Sequence, residues 1–428
     1  MEQTPRPGFF YGWVIVAVAT LALVVSNGLS IGGIPVFYRS IREDLVASGA
    51  VAQGGAESFI AVGATLTFVL AGVLAPLAGA VIQRFSLKML MLAGCIVLGG
   101  GLLIHAYAQS AMTVYIARAL MGVSLCLVGV LPSIILVSNW FVRRRGLALG
   151  ILLTGTSIGG VIVPQIATPL IGALGWRNAM ASLSLLVWLI LGPAILLLVR
   201  NRPSDMGLNA DGDAASATDI STKSPNEGLS LAEALKTPIF YALAVCAALI
   251  FYPIFVTTQQ FVLYLQSAKI GMSAEMGGIA LSALFFVSIS GKFAFGSLSD
   301  RLSPTRVMVF CCGVMFLSTL VLLRLDSSTA FLFLIPFGLG YGGAFVLLQR
   351  LVADYFGMRD YPKILGVIMI IETAGAAIGG LVTGRLADSA GGDYTTAFYA
   401  VMAVTALAFA LTMILDIMRT SSKKMMFQ

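Results

Sequence analysis

Long apolar runs separated by short polar breaks fill the chain, and the runs fall in one length class. Twelve of them match the roughly 20 residues that a helix needs to cross the hydrocarbon core of a bilayer. Their approximate limits are 11–38, 56–82, 87–109, 112–140, 146–173 and 178–200, then 238–266, 276–298, 304–324, 329–353, 363–387 and 393–417. The pattern predicts an all-α membrane protein with twelve transmembrane helices. After the sixth run the chain turns polar, small and poor in aromatics over 201–230, as in Asn209-Ala-Asp-Gly-Asp-Ala-Ala-Ser-Ala-Thr-Asp219. Such a composition reads as a flexible linker. It divides the protein into a six-helix half (1–200), a linker (201–237) and a second six-helix half (238–428).

The halves repeat. Leu149-Gly150 through Gly159-Gly160 matches Leu365-Gly366 through Gly375 at an offset of 216, and Gly79-Ala-Val-Ile-Gln83-Arg84 corresponds to Gly296-Ser-Leu-Ser-Asp300-Arg301 at 217. Internal duplication of a membrane unit is a mark of transporters. In the second pair the glycine, Gly296, lets a neighbouring helix approach closely. Asp300, Arg301 and Arg306, with Arg84 in the first half, sit at short turns where they can latch neighbouring helices in one conformational state. The alternative is a solvated turn that only orients the chain.

Composition excludes a soluble domain: 58% of residues are hydrophobic and 11% charged, with a mean hydropathy of +0.96, against about 25% charged in soluble proteins. The net charge of +7 is a topology signal rather than a nucleic-acid footprint. Six basic residues, Arg39, Arg42, Arg177, Lys269, Arg324 and Arg385, fall on one side of the predicted membrane, and seventeen fall on the side of the termini and linker. Arg118, Lys292 and Arg350 stay in or at the edge of spans. The positive-inside rule then places both termini in the cytoplasm. The first apolar run is too long for a signal h-region and reads as a span. Five cysteines, all within predicted helices, show no metal-type spacing to histidine. No constellation supports metal binding or nucleophilic catalysis, and no phosphate loop is present, so the expectation is a non-enzyme without cofactor, driven by gradients and functional as a monomer.

Two ionisable side chains, Lys292 and Glu372, stand inside otherwise apolar runs. A charge near the bilayer centre costs roughly 2.5–3.5 kcal/mol on insertion scales, so such residues face internal cavities and mark substrate or proton paths. Lys292 reads as an anion-binding cation in the central cavity, or else as a lysine that snorkels to the linker-side interface. Glu372 lies roughly 15 Å into the eleventh span, too deep to snorkel, and reads as a proton-coupling group or as a fixed partner of Lys292. Arg118 in the fourth span serves proton transfer or a structural bond. Asn27 and Ser30, with Gln259 and Gln260, offer neutral hydrogen-bonding groups to a cavity or glue between helices. Tyr341 and Phe345, one turn apart in the tenth span, form an apolar wall against a substrate or simple packing. His105 is expected at the interface.

The paired loops on a six-plus-six chain resemble the major facilitator superfamily, whose loop motif carries a Gly, an Asp four residues on and nearby basic residues; the first copy departs, with Gln83 at the Asp position. More narrowly, Trp140-Phe141-Val-Arg143-Arg144-Arg145-Gly-Leu147-Ala148-Leu-Gly150-Ile-Leu-Leu-Thr-Gly155 resembles the fifth-helix entry of the monocarboxylate porters, and Phe10-Tyr11-Gly12-Trp13 their first-helix start. In that entry an aromatic pair sits at the interface, followed by a basic cluster and small residues for tight packing. The resemblance implies alternating access by two rocking halves, with small carboxylates crossing alongside protons. It also implies a substrate cation on the eighth helix, where this chain has Lys292; lysine keeps the charge but loses the bidentate fork of arginine. Other positions depart: Gly32 and Ser288 stand where animal members carry a lysine and an aspartate, and Glu372 where oxalate and formate exchangers carry a second cation.

The sequence therefore predicts a carrier for a small organic acid, a monocarboxylate with proton symport, in a bilayer of the bacterial inner-membrane type. Its alternative is a proton-driven efflux carrier for drugs or metabolites. Against efflux, Gly155-Thr-Ser-Ile-Gly159-Gly160-Val-Ile-Val-Pro164 lacks the proline directly after glycine of the antiporter motif.

Overall fold

A computed structural model describes residues 10–141, 144–212, 228–357 and 359–426, with side chains described at all of these except 76, 78–84, 145, 146, 300, 362 and 418–426. Among the described residues the protein is helical, with no strand beyond an isolated bridge between Gly228 and Gly357. Eleven continuous stretches are long and apolar enough to cross a membrane. One of them, Leu147–Leu198, has 52 residues, which at 1.5 Å per residue is more than twice a hydrocarbon core. It breaks at Gly175, whose φ of +74° and ψ of 159° reverse the chain in a single left-handed residue. Just past the break, Arg177 bonds to Asp44 and to the Ala108 carbonyl at one face of the protein. At the other end the Arg200 carbonyl accepts from Trp140 Nε1 at the linker face. The stretch is thus two crossings, and the total is twelve.

We number them α1 (Gly12–Asn27, prolonged by a π turn Gly28–Gly32 and a 3-10 turn Ile34–Phe37), α2 (Ala56–Arg84), α3 (Leu87–Ala106), α4 (Ala111–Trp140, broken at Gly129), α5 (145–174) and α6 (176–198). The second set is α7 (Pro238–Leu265), α8 (Ala274–Arg301), α9 (Pro304–Thr319), α10 (Ala330–Phe356), α11 (Tyr361–Ser389) and α12 (Thr395–Met426). Local rules fix their starts. Proline opens α7 and α9 and lies in the first turn of α11, where its missing N–H costs nothing. Ser110 and Ser273 cap α4 and α8 through Thr113 N and Met276 N.

Two pairs of helices join the first six crossings to the last six: α2 packs on α11 and α5 on α8. Glycine allows it. A Cβ at Gly155 would lie 2.7 Å from the Thr20 carbonyl oxygen and one at Gly159 2.4 Å from that of Val24, both on α1, while one at Gly160 would meet the Phe285 ring of α8 at 2.3 Å. On α11, Gly375 and Gly379 meet α7 at Ala248 and Tyr252, and Gly380 meets Thr65 of α2. The matching contacts are 220 residues apart, one helical turn away from the sequence offset of 216. A one-turn slip keeps the same helix face, so the sequence match alone does not separate the two.

Three further expectations change. A Cβ at Gly296 would meet only Val346, at an ordinary 3.9 Å, so no helix closes on it. Trp140 and Phe141 are fully buried under Phe10, Tyr11 and Trp13 instead of facing an interface. His105 is buried as well, because the face of α3 that carries Leu102, His105 and Ala106 turns inward. The end of the linker is tied to the α10–α11 turn, where Leu231 N donates to Asp360 at 3.0 Å. That bond, with Lys363, holds the Asp360 carboxyl below its usual range.

Candidate functional site

At mid-membrane, α8 presents Lys292 to α5. The lysine lies nine residues before Arg301, about 14 Å from the linker-side end of its helix, and is 8% exposed. It does not snorkel. Its Nζ donates to Ser157 Oγ at 2.8 Å, to Thr156 Oγ1 at 3.0 Å and, at 3.5 Å, to the Leu153 carbonyl. All three acceptors belong to α5, and all are neutral. Thr156 sends its own hydroxyl proton to Leu153 O at 2.9 Å. Ser288 donates to Phe285 O at 2.7 Å, so Ser157 donates to Ser288 at 3.0 Å. The ammonium also stands 5.2 Å from the Phe345 ring centroid, a cation–π distance.

Around this centre α10 contributes Tyr341, edge-on to Phe285 at 6.2 Å, and Phe345, 6.4 Å from Phe251 of α7. Glu372 on α11 lies within electrostatic reach of Tyr341 and makes no hydrogen bond or ion pair among the described residues. The structure therefore brings Lys292, Phe345, Tyr341 and Glu372 around one region without pairing the two charges. Gly32 closes the opposite wall: a Cβ there would lie 2.6 Å from Gly160 Cα, so no longer side chain fits in this state.

Arg118 is elsewhere. It is 1% exposed and donates to Gly63 O at 3.1 Å and to Tyr38 OH at 3.1 Å, with Nη1 unpaired. Tyr38 donates in turn to Gln259 Oε1 at 2.8 Å, and Gln259 Nε2 donates to Ile31 O at 3.1 Å. This chain links α4, through Tyr38 at the start of a short helix Tyr38–Ala47 that follows α1, to α7 and back to the π turn of α1, near the face opposite the linker. Gln260 bonds to Gly380 O within the second set of helices. Asn27 Nδ2, Ser30 Oγ and both His105 nitrogens are buried without partners among the described residues.

On that opposite face a second cluster joins the halves. The Asp388 carboxylate, at the end of α11, accepts from Glu57 N and Ser58 N at 2.9 Å each, capping α2 from across the molecule. Glu57 pairs with Arg42 and accepts from Tyr394 OH at 2.5 Å. Thr156, Ser157, Tyr38, Glu57, Asp388 and Tyr394 carry no mark of these roles in the sequence beyond the hydroxyl pair inside Gly155–Gly160. Among the described residues, every direct hydrogen bond between the two sets of helices lies between this face and the level of Lys292. Of the expected latch residues, Arg306 Nε stands 3.7 Å from Asp416 and Arg301 is exposed; the side chains of Arg84 and Asp300 lie outside the described residues.

A family model described as Major Facilitator Superfamily matches residues 16–268 and 261–424. The chain is similar to an MFS transporter, asaE, of Aspergillus flavus, 27% identical over 66% of this chain and 60% of that protein. It is also similar to Monocarboxylate transporter 12 of Xenopus laevis (26% identity, 76% of this chain and 73% of that one) and to the Fujikurins efflux protein of Gibberella fujikuroi (24%, 86% and 75%). Among solved structures, a bacterial homologue of the human lysosomal transporter Spinster, in an inward-facing and occupied conformation, superimposes with a TM-score of 0.72 at 14% identity. That likeness covers 96% of this chain and 97% of the other.

Proposed function

The chain belongs to the Major Facilitator Superfamily, and from that premise we propose that it moves a small monocarboxylate across the membrane with a proton, by alternating access. One observation carries the reading: the Lys292 ammonium is buried at mid-membrane on neutral acceptors alone. A buried charge without a counter-ion is costly, and an anionic substrate supplies the missing one. Phe345 and Tyr341 offer an apolar wall suited to a short hydrocarbon part. Glu372, with no bond to satisfy, takes the accompanying proton, so that one anion and one proton cross without net charge. A relative named as a monocarboxylate transporter supports this choice.

The ties through Asp388, Glu57 and Tyr38 hold the face opposite the linker shut, and α2–α11 and α5–α8 are the lines about which the halves rock. With the linker in the cytoplasm, as the distribution of basic residues favours, this state opens inward. The fungal efflux relative favours a second reading, outward export of a metabolite acid through the same site. Purified protein in liposomes separates them. Uptake of acetate, L-lactate or pyruvate should accelerate when the outside is acidified. Acceleration of none of these acids removes the monocarboxylate assignment.

A further inference from the structure

We infer that Thr156 and Ser157 form a resident cradle that replaces the substrate anion on Lys292 in the empty carrier, and so lets the carrier cross unloaded. The inference rests on the reading of Lys292 as the substrate cation. An ammonium has three N–H donors and no acceptor. Here all three point at α5, two of them to hydroxyls at 2.8 and 3.0 Å. Those hydroxyls are oriented as acceptors: Thr156 spends its proton on Leu153 O, and Ser157 spends its own on Ser288, which spends its own on Phe285 O. Every group in the network is satisfied without an anion. Glu372 plays no part in it, since it makes no ion pair with the lysine.

The cradle and the lysine sit on opposite halves of the molecule, so their bonds hold only while α5 and α8 stay packed at this level, along one of the lines about which the halves rock. Rocking about that line is the event through which a carrier changes sides. A loaded carrier passes it with the lysine neutralised by carboxylate. Without a substitute, the empty one would bury a bare ammonium and would be confined to exchanging one bound anion for another. With the cradle, return of the empty carrier is permitted and net transport becomes possible.

The test compares two flux modes in liposomes holding the full chain, with radiolabelled acetate, L-lactate and pyruvate as probes. Net flux is read with empty liposomes and counterflow with liposomes preloaded with the same unlabelled acid. The Thr156→Val/Ser157→Ala variant should lose net flux about tenfold or more, the effect of one lost hydrogen bond to a charged group, while counterflow stays within about twofold of the parent. Retained counterflow also shows that the variant is folded. Thr156→Ser/Ser157→Thr, which keeps both hydroxyls, should preserve both modes. If the double variant does not fold, the single variants Thr156→Val and Ser157→Ala are read in the same way. An active parent whose hydroxyl-free variants lose both modes equally, or lose neither, overturns the cradle and leaves the carboxylate reading intact. A parent inactive in both modes on all three acids overturns that reading, and the cradle with it.

Discussion

Lys292 and Glu372 divide the chemistry at the scale of single residues. The lysine is held on hydroxyls and an aromatic face, so Lys292→Ala removes the anion's partner while leaving a cavity that water can fill. Uptake of a transported acid should fall at least tenfold, since hydrogen bonds to a charged group are worth about 1.5–3 kcal/mol. Lys292→Arg should retain a measurable part, because the charge persists in a larger, planar head. Glu372→Gln tests the other half of the scheme. Without a carboxyl to load, counterflow of acid should persist while the stimulation of uptake by outside acid is lost; a variant that still responds to the pH gradient as the parent does would remove Glu372 from coupling.

Helices that touch through glycine set the expectations at the scale of elements. Gly160→Ala forces a methyl group into the Phe285 ring, and overpacking of this kind costs typically 1–3 kcal/mol. Gly150→Ala and Gly366→Ala add a methyl group in open space and should leave thermal stability unchanged or slightly raised. A thermal melt of the purified variants should rank them in this order. The seal on the face opposite the linker depends on Asp388 capping α2, an arrangement worth about 1 kcal/mol. In Asp388→Ala, which removes both acceptor oxygens, a cysteine placed at Ala61, now buried against Gly384, should react about fivefold faster with an impermeant maleimide than in the parent. Equal rates would show that the cap does not hold the seal.

Much of this was legible in the chain. An apolar run of bilayer length has one physical solution, so all twelve crossings appear near their expected places, with ends displaced by a few residues except for α12, which continues to Met426 past an expected end at 417. Lys292 was visible because burying it is costly. Thr156 and Ser157 were not singled out, since hydroxyls are common in membrane helices and their role depends on a helix 135 residues away meeting them. Asp388 and Tyr394 lie at helix ends, where polar residues are expected anyway, so nothing local marked them as ties between the halves.

At the scale of the whole molecule, the first six crossings meet the last six at one face and at mid-membrane, where the buried Lys292 ammonium has no acidic partner among the described residues. On the proposed function, this cation recognises the negative charge of the substrate. Thermal stabilisation of the purified protein by acetate, L-lactate and pyruvate, set beside their uncharged amides, measures that recognition without any assumption about direction or coupling. The parent should be stabilised by a carboxylate and not by its amide, and Lys292→Ala should lose the effect while remaining folded. A Lys292→Ala protein stabilised by the acid as strongly as the parent would contradict the account.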